Sequence, residues 1–148
     1  RAAFRVCQSS EVWETHGDWV RRAKPSFGPG IDDRFAYAAS LGEAEIAEAR
    51  AVQARVRDRL DSLLTADTLL VMPGASAPPP LCNTSGPLLE DLRNRALEVL
   101  CPAGLGGLPQ LALPAMTVEE GPIGLGLVAA RGADARLLAL AGAMGDRR

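Results

Sequence analysis

Three short, largely apolar runs in the second half of the sequence limit what this chain can build. They are Thr68–Met72, Gln110–Leu113 and Gly124–Ala129, each bounded by proline or glycine. Runs this short and this continuous read as strands buried on both faces. Three such strands are too few to close a sheet, so the expectation is a sheet completed by strands from elsewhere. The chain also opens Arg-Ala-Ala-Phe, without methionine. A preceding part of the polypeptide is therefore expected to supply them.

Before residue 65 the spacing changes to the three- and four-residue steps of amphipathic helices. In FRVCQSSEVWETHGDWVRR the stripe is Val6, Val12, Trp13, His16, Trp19 and Val20. KPSFGPG breaks it, because proline and glycine punctuate, and IDDRFAYAAS makes a short helix. Ser40 and Glu43 have capping-box spacing and predict the start of the next helix. That helix presents Ile46, Ala49, Val52, Val56, Leu60 and Leu63 on one face. Arg57 and Asp61 are placed on it to pair at i,i+4. After the first strand, Pro78–Pro80 make a stiff, extended loop. A helix follows over about Leu88–Leu100, then a glycine-rich loop at Cys101–Gly106. The other two strands come next, and a last helix runs from Asp134 to Gly145. The order is three helices, strand, helix, two strands, helix, with a helical part over 1–65 and an α/β part over 66–148.

Composition narrows the function. The net charge is -2, with arginines interspersed among Asp and Glu, so no nucleic-acid partner is expected. No apolar run approaches the ~20 residues needed to cross a bilayer, so no membrane partner is expected either. Cys7, Cys82 and Cys101 are odd in number and far apart, which points to a reducing cytoplasm. With His16 the sole histidine, no metal is expected, and no cofactor. Gly124-Leu125-Gly126 lacks the third glycine of a phosphate loop and reads as close backbone packing inside a strand. His16 has no nucleophile placed near it and reads as a packing or rim residue. No serine sits in a G-x-S-x-G elbow, and no Ser-His-Asp, Cys-His or paired-carboxylate arrangement stands out. Lys24, the sole lysine, lies in the breaker segment as a surface residue.

The order of landmarks is more informative than any one of them. Asp67, Leu70 and Pro73 form Asp-x-x-Leu-x-x-Pro, followed by Ala77-Pro78. Gly107–Pro114 reads Gly-Leu-Pro-x-x-x-x-Pro, Gly121–Leu125 reads Gly-Pro-x-Gly-Leu, and Asp134–Leu138 reads Asp-x-x-Leu-Leu. In this order they resemble the C-terminal third of an amidase-signature enzyme, over nearly the whole chain. The resemblance implies an α/β fold with a mixed β-sheet core flanked by helices, this chain being the C-terminal portion of a single domain.

It also implies hydrolysis of an amide by a Ser–cis-Ser–Lys triad, which in the family lies upstream of the matched region. Catalytic residues are therefore expected to be absent from this chain, leaving the isolated piece inactive. Its partners would be a small-molecule amide and the N-terminal catalytic part of the same protein, with a homodimer left open. Arg34 falls where the family often has an arginine after a Gly-Pro turn. It would bind a substrate carboxylate through its guanidinium fork or brace Asp32 and Asp33. Cys101, Ala103 and Gly104 would form one pocket wall. The competing reading is a non-catalytic structural or interaction module that binds a partner chain.

Overall fold

The computed structural model describes residues 1–119 and 121–145. Contacts divide the chain into two compact units, Arg1–Arg55 and Val56–Arg148. The first holds helices α1 (Ala2–Ala23), α2 (Ile31–Ser40) and the start of α3 (Glu43–Leu63). The second holds the end of α3, then β1 (Leu70–Pro73), α4 (Gly86–Gly106), β2 (Gln110–Val118), β3 (Gly121–Val128) and α5 (Asp134–Gly145). The element order matches the sequence expectation.

In the first unit, α1 buries Val6 of the expected stripe, but its other buried residues lie off that stripe. Val6, Cys7, Ser10 and Gly17 are buried, whereas His16 is exposed and Trp19 is 43% exposed. Small side chains explain the difference, because they allow close approach. Val6 and Cys7 pack with Ala49, and Ala3, Leu41 and Ile46 close around them. The aromatic side chains serve the breaker segment instead. Trp19 meets Phe27 edge-on at 6.0 Å, and Phe27 stacks on Phe35 at 4.6 Å. Ser40 does not form the expected capping box. It is the last residue of α2, and its hydroxyl donates to the Tyr37 carbonyl at 2.8 Å.

In the second unit, the three strands form one antiparallel sheet in the order β1-β3-β2. Side chains alternate across β3. Val128 faces Leu64, Ala103 and Leu108, with Leu60 and Met72 beside them. Leu127, with Ala129 just beyond the strand, faces Leu137, with Leu111, Leu125 and Leu140 around them. Helices α3 and α4 thus cover one face of β3, and α5 covers the other. Two-sided burial holds for this end of β3 and fails for β1, where Leu70 is 38% and Val71 58% exposed. β1 is an edge strand, and it starts later than expected. Thr68 is used to close the turn after α3, donating its hydroxyl to the Leu63 carbonyl at 3.0 Å.

Other boundaries shift for readable reasons. Strand β2 continues through Pro114 to Val118, with a register shift between Leu113 and Met116. A proline is tolerated at such an irregularity on an edge strand. The inward residue at the end of α3 is Leu64, 8% exposed, and not Leu63, 49% exposed. Arg57 and Asp61 do not pair with each other; Arg57 bonds the Leu105 carbonyl and Asp61 pairs with Arg131. The expected loop at Cys101–Gly106 is helical, since α4 runs to Gly106 with Pro102 inside it. Packing holds these turns: a Cβ on Gly106 would lie 2.9 Å from Leu60 Cδ1 and 3.0 Å from Leu108 Cγ. Gly106 admits neighbouring leucines rather than making a bare loop.

Candidate functional site

The described concavity belongs to the second unit and grows from the proline run. After β1 the chain passes Gly74, whose N–H donates to the Gly124 carbonyl. A Cβ on Gly74 would lie 2.9 Å from the carbonyl carbon and oxygen of Gly124, so only glycine lets the loop leave β1 this close to β3. Pro78, Pro79 and Pro80 follow, with their backbone torsions restricted by the rings. Opposite them, Leu89, Leu92 and Ala96 lie at helical spacing on α4. Ile123 and Gly124 of β3 form the floor of the resulting groove, whose volume is about 380 Å³.

Its chemistry is apolar with one cation. Arg93 lines the groove, and its Nη1 lies 3.6 Å from Glu90 Oε2, both side chains being more than half exposed. An exposed pair of this kind contributes little to stability, so the guanidinium can be given up to another anion at low cost. The groove suits an apolar group with an acceptor or anionic end. The proline run was legible in the sequence as a stiff loop, and Leu89, Leu92 and Ala96 follow an i, i+3, i+7 pattern. That the two face each other was not legible, since it depends on the β1–β3 pairing.

The residues singled out from the sequence have distinct fates. Cys101, Ala103 and Gly104 lie together on the last turns of α4. Cys101 and Ala103 are buried, Ala103 within the core beside Leu64 and Val128, while Gly104 is exposed. Arg34 is on α2 in the first unit and exposed, and it forms no ion pair with Asp32 or Asp33 among the described residues. Gly124 and Gly126 sit in β3 against Gly74 and Met72, as close backbone packing requires. Among the described residues no group of His, Cys, Asp and Glu gathers as a metal site. No helix there is long and apolar enough to cross a membrane.

Comparison with known proteins sets this geometry in a family. The model of the Amidase family matches residues 21–138. Amidase 1 of Arabidopsis thaliana is 34% identical over 139 residues, covering 94% of this chain and 33% of the relative. A solved structure described as a crystal structure of amidase superimposes with a TM-score of 0.76 at 27% identity, over 94% of this chain and 33% of that one. The translocon at the outer membrane of chloroplasts 64 of Pisum sativum is 30% identical over 131 residues, covering 88% of this chain and 22% of its own length. The chain thus spans about a third of the length of the amidases it matches.

Proposed function

Because the chain belongs to the amidase family, we propose that it is the C-terminal portion of a single amide-hydrolase domain. In this reading a serine outside these residues attacks the amide carbonyl within a Ser–cis-Ser–Lys triad. Backbone N–H groups hold the oxyanion, the amine leaves, and water releases the acid. This chain contributes sheet core and pocket wall. The observation that carries the reading is β1. An edge strand with Leu70 and Val71 exposed is a template for further pairing, as expected where a sheet continues into a preceding part of the polypeptide.

The substrate is a small-molecule amide. Gly104, exposed at the end of α4, offers backbone to the pocket, with Cys101 and Ala103 backing that turn from the core side. The groove between the proline run and α4 accepts an apolar portion of the substrate. No cofactor or metal enters this mechanism. The odd number and wide spacing of the cysteines support a cytoplasmic location.

A second reading, a non-catalytic module that binds a partner chain, draws on one observation. The same segment recurs in a relative named for a translocon rather than for hydrolysis. A fluorophosphonate probe separates the two. The full polypeptide should be labelled on one serine, and peptide mapping should place that serine outside these 148 residues. Labelling of a serine within them would overturn the placement of the nucleophile outside this chain, and an unlabelled, folded polypeptide would favour the partner-binding module.

A further inference from the structure

We infer that Arg57 and Arg131 form a two-point clamp on the carbonyl end of α4 and so set where that helix ends and β2 begins. Helix α4 closes in a Schellman motif: the Leu108 N–H donates to the Ala103 carbonyl at 3.0 Å and the Gly107 N–H to the Gly104 carbonyl at 3.2 Å. The accompanying apolar contact is present, since Ala103 and Leu108 share a core cluster. The motif satisfies the carbonyls of Ala103 and Gly104 and leaves those that follow to find other donors. Two arginines reach them. Arg57 of α3 donates from Nε to the Leu105 carbonyl at 3.1 Å, and Arg131, in the turn after β3, donates from Nη1 to the Gly107 carbonyl at 3.0 Å.

The clamp is tied back on itself. The second nitrogen of Arg131, Nη2, lies 3.5 Å from Asp61 Oδ1, and Asp61 sits one turn along α3 from Arg57. The guanidinium fork presents Nη1 and Nη2 to the two acceptors at once. Helix α4 has no basic residue in its own last turn, so the cations at the negative end of its dipole come from two other elements. Gly107 is required for its backbone conformation. Its φ is 62°, in the left-handed region, and a Cβ there would lie 2.7 Å from Arg131 Nη1. Just beyond, the Ala129 N–H donates to the Pro109 carbonyl at 3.2 Å, so the clamp stands beside the start of the β2–β3 pairing. The clamp rests on this geometry alone. On the hydrolase reading, Arg57 and Arg131 become positioning residues for the Cys101–Gly104 turns.

Hydrogen exchange of the full polypeptide, followed by mass spectrometry, tests the clamp whether or not the protein hydrolyses amides. Arg131→Gln should accelerate exchange at Gly107, Leu108 and Ala129 by about tenfold, as expected for loss of roughly one charge-assisted hydrogen bond, with α5 unchanged. Arg131→Lys should fall between, because an ammonium can reach Gly107 or Asp61 but does not bridge both. Gly107→Ala should accelerate the same peptides with or without Arg131, because a side chain at φ 62° strains the helix end independently of the guanidinium. Unchanged exchange in Arg131→Gln would overturn the clamp. Should Arg131→Gln lose protection in every peptide, Arg131→Lys decides: selective acceleration around Gly107 supports the clamp, and none refutes it.

Discussion

The two units bury their apolar residues by different means. The first joins α1 to the start of α3 through a small cluster, Val6, Cys7 and Ala49, with Leu41 just after α2 beside it and aromatic side chains packed separately. The second places a sheet between helices and buries β3 from both sides. A helix can rotate about its axis and still satisfy its own hydrogen bonds, so its inward face is set by whichever side chains allow close approach. A central strand has no such freedom, because its register fixes which side chain faces which layer. The second unit should therefore be the less forgiving of substitution.

Chemical denaturation of the full polypeptide puts this contrast at risk. Leu127→Ala should cost most, about 3 kcal/mol, because Leu127 is 3% exposed on the central strand and cannot be replaced by relaxation of one neighbour. Gly74→Ala should cost about 2 kcal/mol, since the new methyl meets the Gly124 backbone rather than a movable side chain. Val6→Ala in the first unit should cost about 1.5 kcal/mol, the transfer value of two methylene-sized groups, with small neighbours collapsing around the gap. Arg50→Ala should change stability by less than about 0.5 kcal/mol, since its 2.9 Å pair with Glu14 is more than half exposed on both sides. A Val6→Ala effect larger than that of Leu127→Ala would reverse the comparison.

The same contrast explains what the sequence allowed to be read. Proline and glycine showed where the strands lie, because they act on the backbone directly, but not every strand end: Pro73 ends β1, β2 runs on through Pro114, and Gly124 and Gly126 mark the close approaches to Gly74 and Met72. Periodicity located the helices and the inward face of α3 as far as Leu60, but misplaced most of that of α1. Trp13, His16 and Trp19 looked inward by hydrophobic spacing, yet Val6, Cys7, Ser10 and Gly17 are the buried residues. Glycines in the Cys101–Gly106 segment suggested a loop because their local propensity is non-helical. Leu60 and Leu108 override it by filling the space a Cβ would need. Of the candidate site, the proline run and the α4 face were legible separately. Their meeting across β3 was not, because no local signal encodes the β1–β3 register.

Hydrolysis itself is the most direct test of the central claim that this chain frames a catalytic centre it does not carry. The 148-residue chain and the full polypeptide should be assayed side by side against a panel of aliphatic and aryl amides. Turnover by the full polypeptide and none by the 148-residue chain is the predicted result. Turnover by the 148-residue chain alone, or none by the folded full polypeptide on any amide, would contradict it.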